Sequence, residues 1–280
     1  MEQSKHFKTE DGVKIHYIDH GSGQPVVMLH GWSQSAELFR YQIDKLGEYY
    51  RVLAIDMRGH GLSEKVDHGY KISRLSKDLL EFFFALDLSD IVILAHSMGC
   101  SVLWCYWDLF GGERLSKLVL VDQEPFMIIN PGWSNDEREI VGAGISHKSI
   151  FDVTNAISSP NGKEFSSQFI AGRFTSTIDE QTLNWVIKQN LLLPRDHAAT
   201  LLFNHFTQDW RDVIPTINIP TLIITGRASN KPLKSQEWIN QKIPGSRLEI
   251  FGENEGGAHF MFIENPTKFN KIVIDFIGGS

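Results

Sequence analysis

The stretch Val92-Ile93-Leu94-Ala95-His96-Ser97-Met98-Gly99-Cys100-Ser101 runs from apolar residues into a small-x-Ser-x-Gly turn and then into a helical pattern. A serine at the tip of a sharp strand-to-helix turn has its hydroxyl lifted clear of its neighbours, as a nucleophile requires. So tight a turn needs almost no side chain two positions before and two after the serine, and Ala95 and Gly99 meet that demand. Ser97 is therefore the candidate nucleophile, and acyl transfer is the chemistry that suits it. A helix over 100–110 points its first amides at the same place, so Met98 N–H can stabilise charge developing on a carbonyl oxygen. A second donor is expected from His30-Gly31-Trp32, where a glycine directly after an apolar run lets the chain turn Trp32 N–H toward the serine.

Such a site needs a frame that brings distant segments together. Residues 7–19 alternate apolar and polar around Asp11-Gly12 and read as an antiparallel hairpin, and 26–29 form a fully apolar strand. A helix is expected over 38–49, a strand over 52–55, a helix over 72–86, the elbow strand, its helix, and a strand over 118–121 that closes with Asp122-Gln123-Glu124-Pro125. The loop from Asp56 to Ser63, with Gly59 and Gly61, is read as structural. Strand and helix thus alternate from residue 26, which implies a doubly wound, mostly parallel sheet with its working loops at the strand carboxyl ends. His30, Asp56, Ser97 and Asp122 all stand at such ends.

The alternation stops over 126–214, where short amphipathic, aromatic-rich helices are broken by Gly, Pro and Ser; this segment reads as an inserted helical lid, or cap. It resumes with a strand over 221–225, a helix over 234–241, a strand over 247–251, the loop Gly256-Gly257-Ala258-His259 and a helix over 266–277. The expected division is an α/β core over 1–125 and 215–280, with 126–214 as the cap.

The 280 residues, 42% of them hydrophobic, suffice for one α/β domain with an insertion. The net charge of −7 comes from well-mixed acids and bases without a basic run, so no nucleic-acid partner is expected. The polar start Met1-Glu2-Gln3-Ser4-Lys5-His6 precedes no apolar stretch long enough for a signal peptide or membrane span, which implies a cytoplasmic protein. Cys100 and Cys105, five apart on one expected helix, face away from each other, so neither a disulfide nor a metal site is expected, and both read as core residues.

With the Ser97 elbow, His30-Gly31-Trp32, the Asp-x-Arg-Gly-x-Gly-x-Ser loop at 56–63 and Gly256-Gly257-Ala258-His259 followed by Glu264-Asn265-Pro266, the chain resembles the α/β-hydrolase superfamily over nearly its whole length outside the lid. The resemblance implies the α/β-hydrolase fold and a Ser-acid-His triad in that chain order, with His259 as general base. Two glycines before His259 in a strand-end loop agree with a base that must reach a hydroxyl and hand its proton on. Most members of the superfamily carry the acid in the loop after the seventh strand, yet Gly226-Arg227-Ala228-Ser229-Asn230-Lys231 has no carboxylate. The triad acid is accordingly assigned to Asp122 at the end of the sixth strand, a position some branches use, with Glu124 as the alternative acid.

No cofactor is expected. A small-molecule substrate is, with His30, Trp32, His96, Phe126 and Phe260 around it and an apolar chain or ring suited to an aromatic lid without a conspicuous positive cluster. The acid after the sixth strand is similar to bacterial quorum-quenching hydrolases of N-acyl homoserine lactones and, more distantly, to cofactor-free dioxygenases that open 3-hydroxy-4-oxoquinoline rings. The latter group carries histidines at positions that here are Met98 and Ser33 or Gln34. The expected function is therefore a serine hydrolase of carboxylic esters or lactones, with acyl homoserine lactones as the specific substrate. The alternatives are the dioxygenase and a non-enzymatic receptor or regulator on the same fold.

Overall fold

The computed structural model describes residues 3–279; Met1 and Glu2 of the polar amino terminus, and Ser280, lie outside the described residues. In chain order the strands are β1 (Gln3–Lys8), β2 (Lys14–Gly21), β3 (Pro25–Leu29), β4 (Arg51–Ile55), β5 (Ile91–His96), β6 (Leu115–Val121), β7 (Thr221–Gly226) and β8 (Arg247–Phe251). They form one sheet in the order β1-β2-β4-β3-β5-β6-β7-β8. β1 and β2 make the expected antiparallel hairpin, β2 runs antiparallel to β4, and every pairing from β4 through β3, β5, β6 and β7 to β8 is parallel.

The helices of the frame are α1 (Arg40–Leu46), α2 (Ile72–Ala85), α3 (Met98–Phe110), α9 (Leu233–Lys242), α10 (Met261–Glu264) and α11 (Pro266–Gly278). Between β6 and β7 stand α4 (Asn135–Val141), α5 (His147–Ser158), α6 (Gly162–Ala171), α7 (Glu180–Asn190) and α8 (Arg195–Phe206). The central strands read as unbroken apolar runs because both of their faces are covered. Val27 and Leu29 of β3 and Ile93 and Ala95 of β5 join a core with α2 and α3. Val26, Met28, Val92 and Leu94 face the other way, into a core with α1 and α11.

The expected helix over 38–49 is two pieces, a 3-10 turn over Ala36–Phe39 and then α1. The start is early because Asp56 Oδ1 accepts Ala36 N–H at 2.7 Å; the end is early because Tyr49 N–H and Tyr50 N–H both return to the Leu46 carbonyl. The Asp56 loop is structural, as read. Asp56 also meets His16 Nδ1 at 2.8 Å and accepts Leu62 N–H, while the fully buried Arg58 pairs with Asp78 at 2.8 Å and Asp11 at 2.9 Å. No helix among the described residues is long and apolar enough to cross a membrane.

Candidate active site

β5 delivers Ser97 to a backbone conformation with φ 52° and ψ −124°, and α3 begins at the next residue, two earlier than the sequence pattern marks. Non-glycine residues rarely take this conformation, and held strain of this kind clusters at functional sites. Ser33, Ser97 and Asp122, each following a central strand, all have positive φ. Neighbouring strands hold two of them: Ser97 N–H donates to the Val121 carbonyl at 2.9 Å and Asp122 N–H to the Ile224 carbonyl at 2.9 Å. Gly99 is required, because a Cβ there would lie 2.4 Å from the Leu29 carbonyl oxygen. Neither Met98 N–H nor Trp32 N–H has a protein acceptor among the described residues, so both remain available to a ligand.

His259 Nδ1 lies 2.6 Å from Asp122 Oδ2, with both side chains buried. Thr225 Oγ1 donates to Asp122 Oδ1 at 2.7 Å and Ser229 Oγ to Oδ2 at 2.6 Å. The end of β7 and its loop, which lack a carboxylate, thus supply two hydroxyls to the carboxylate of β6. Burial pushes the Asp122 pKa up, against the pull of those hydroxyls and of Lys231. Burial, reinforced by the cations of Arg173 and Lys231, presses His259 well below the ordinary histidine value. The resting imidazole is therefore neutral, donating Nδ1–H to Asp122 and keeping the Nε2 lone pair. The loop carrying His259 packs on β7 so closely that a Cβ on Gly226 would lie 2.0 Å from the Gly257 carbonyl oxygen. No hydrogen bond joins Ser97 Oγ to His259 among the described residues; nucleophile and base border one cleft, and such bonds commonly close only around substrate.

The cleft is floored by Ser97, His259, Trp32, Gln34 and Phe260. Met127, Phe169, Leu202 and Phe206, from the segment between β6 and β7, cover it with apolar surface. Arg173, His205 and Lys231 add polar groups. Burial lowers the His205 pKa to about 3, which leaves that imidazole neutral.

Residues 26–272 match the Alpha/beta hydrolase family. The chain belongs to this family. It is 30% identical to a putative non-heme chloroperoxidase from Synechocystis sp., across 95% of both chains. An esterase from Exiguobacterium antarcticum superposes with a TM-score of 0.90 at 27% identity, covering 99% of this chain and 100% of the other. A bromoperoxidase from Bacillus anthracis superposes with a TM-score of 0.89 at 25% identity, again covering 99% and 100%. The α/β-hydrolase fold is thus established, and esterases and haloperoxidases are among the relatives.

Within this α/β hydrolase, Ser97, His259, Asp122, Trp32 and Phe260 stand together as the sequence reading places them, and four other residues do not. Glu124 is spent on Lys231 at 2.6 Å and makes no contact with His259. His30 is fully buried, with Nδ1–H donating to the Gly31 carbonyl and Nε2 accepting Met57 N–H at 3.1 Å, so it braces the turns after β3 and β4. His96 is buried behind His259, whose carbonyl oxygen lies 3.0 Å from its Nε2. Phe126 lines a separate cleft, against Trp133 and beneath Arg211 at 4.6 Å.

The sequence reading missed Gln34, Thr225, Ser229, Arg173 and Lys231. Gln34 Oε1 accepts Gly31 N–H at 2.9 Å and lies 3.1 Å from His96 Nδ1, which fixes the amide beside Ser97. The two hydroxyls were findable, since a β7 loop without a carboxylate still has to hold the acid from β6. Arg173 carried no local signal, being one basic residue at the end of an amphipathic helix.

Proposed function

We propose that this chain is a serine hydrolase of carboxylic esters and lactones, with Ser97 as nucleophile, His259 as general base and Asp122 as the acid. The observation that carries the reading is the buried 2.6 Å contact between His259 and Asp122 at the carboxyl edge of the sheet, in the same cleft as the strained Ser97. His259 Nε2 takes the Ser97 proton as Oγ attacks the acyl carbon. Met98 N–H and Trp32 N–H hold the oxyanion, His259 returns the proton to the departing alkoxide, and water activated by the same imidazole releases the acid. The segment 126–214 serves as the cap that excludes bulk water and houses an apolar acyl part.

N-acyl homoserine lactones are the specific lactones of this proposal, on the sequence resemblance and the apolar cover of the cleft. The dioxygenase alternative is weakened by Met98 and by Ser33 or Gln34 at the positions where that group carries histidines, and the Gln34 amide oxygen is committed to Gly31 and His96. The haloperoxidase names among the relatives make peroxide-dependent halide oxidation the second activity to assay.

A fluorophosphonate probe should label Ser97 and fail on Ser97→Ala protein. Mass spectrometry on aryl esters, acyl homoserine lactones and alkyl hydroxyquinolones should then give hydrolysis products that depend on Ser97. Oxygen-consuming ring opening that survives Ser97→Ala would replace the hydrolase by the dioxygenase; binding without labelling or turnover would replace it by the receptor.

A further inference from the structure

Besides His259, three basic groups border the cleft, and Arg173 is the cation among them without a charge partner. Lys231 Nζ is paired with Glu124 at 2.6 Å, and His205 is kept neutral by burial. Arg173 follows α6 and reaches into the cleft beside His259. Its Nη1 donates to Asn230 Oδ1 at 3.1 Å and its guanidinium lies 4.1 Å from the Phe169 ring centre, yet no carboxylate of the described residues stands within salt-bridge distance. The position of this residue is fixed by its backbone, since the Arg173 carbonyl accepts His259 N–H at 3.1 Å. Arg173 is half-buried at the cleft, and most of its guanidinium donors meet no protein acceptor among the described residues, which leaves them to a ligand in the cleft.

Resting on the hydrolase reading above but not on its acyl homoserine lactone substrate, we propose that Arg173 is an anion-binding residue and that the preferred substrates are esters or lactones carrying a free carboxylate besides the scissile acyl group, with the neutral acyl homoserine lactones the poorer substrates. The planar fork of arginine matches a carboxylate bidentately. Charge in the cleft favours a single negative charge. When His259 takes the serine proton, Asp122 is matched to the imidazolium and Glu124 to Lys231, so Arg173 is the cation left for the ligand. A doubly charged phosphate would face both carboxylates. The apolar cover from Phe169, Leu202 and Phe206 suits the hydrocarbon between the two ends of such a molecule. Burial draws the Arg173 pKa below its usual value, while Glu124 and Asp122 oppose that, consistent with a group whose charge awaits a partner.

The test compares mono-4-nitrophenyl glutarate with 4-nitrophenyl valerate, which places the carboxylate on the acyl side. Valerate esters of 4-hydroxybenzoate and of phenol place it on the alcohol side. In at least one pair the anionic ester should have a kcat/KM about tenfold or more above the neutral one, and Arg173→Met should collapse that ratio. A loss of fold would lower both members alike and leave the ratio standing. Calorimetry with glutaranilic acid against valeranilide, two amides of equal length, reads the same preference without catalysis. Equal binding of the two anilides together with equal rates in both ester pairs, or a ratio unmoved by Arg173→Met, would overturn the proposal. Arg173-dependent binding of the anionic anilide without cleavage of any ester would retain the anion site and remove the hydrolase reading.

Discussion

Asp122 separates what the carboxylates near His259 do. It receives Thr225, Ser229 and His259 at once; these hydroxyls oppose the upward push of burial on its pKa, and the contact orients the imidazole with Nε2 away from the carboxylate. Asp122→Asn should lower kcat by about 10⁴-fold with KM little changed. Glu124→Gln should instead leave Lys231 without its charge partner, lowering the melting temperature while kcat stays within about tenfold. Steady-state kinetics and thermal unfolding on the pair check the assignment, and a larger kcat loss from Glu124→Gln would reverse it. The same surroundings set the pH response. His259 faces Asp122 from the end of β6, Lys231 from the β7 loop, Arg173 from the cap and His96 from β5, and the net effect is a lowered pKa. The imidazole is then unprotonated through neutrality, so on the proposed mechanism kcat/KM should fall only in acid, well below the range in which an ordinary histidine titrates. Because the Arg173 cation is one cause of the lowering, Arg173→Met should move that acid limb to higher pH. Ser97 was legible in the sequence because its turn dictates its neighbours, and Asp122 because a strand end was left with an acid. The partners that tune them come from β7 and α6, and no spacing along the chain announces such contacts.

At the scale of elements, the loop after β3 is held from two sides. Beneath it, Gln34 Oε1 pins Gly31 N–H and His60 Nε2 accepts Ser33 N–H at 3.2 Å. Above it, Trp32 Nε1 donates to the Ala198 carbonyl of α8, and Ser33 Oγ donates to the Asn190 carbonyl of α7. Arg195 at the start of α8 joins these parts, donating to Ser33 Oγ at 2.8 Å, to the Asn190 carbonyl at 2.7 Å and to Ser166 Oγ of α6 at 2.9 Å. Burial lowers its pKa only to about 10, so it stays charged and its donors stay strong at neutral pH. Arg195→Ala should cost on the order of 2–4 kcal/mol of stability, since several buried acceptors lose their donor together. It should also lower kcat/KM, because Trp32 N–H loses the brace on its neighbour Ser33. Chemical denaturation and kinetics on the purified variant check both, and an unaltered kcat/KM would mean that the loop after β3 is held from below alone. The central strands were readable because each is apolar on both faces, and the first hairpin because its residues alternate. The first helix was mispredicted because its start is set by Asp56, from a strand later in the chain, a constraint that helical periodicity does not contain.

Over the whole molecule, the sheet divides two apolar cores, and both continue into the helices between β6 and β7. Ile150, Ile157, Leu201 and Leu202 belong to the core that contains α2 and α3. Ile170 and Val186 belong to the core that contains α1 and α11. The helices between β6 and β7 are therefore wedged against both layers. Buried surface shared in this way couples the unfolding of the parts that share it, because these helices cannot move away without exposing apolar side chains of the frame to water. Heating should give one cooperative transition in calorimetry, with near-ultraviolet circular dichroism and fluorophosphonate labelling of Ser97 lost at the same temperature. An earlier transition that removes tryptophan dichroism and leaves the sheet signal intact would mean that α4–α8 melt alone. In that case the site would be roofed by an independently mobile lid, and substrate entry would be limited by its opening. With a fixed roof, substrate enters through the mouth of the cleft, and selectivity is set by Arg173 and the apolar residues already in place.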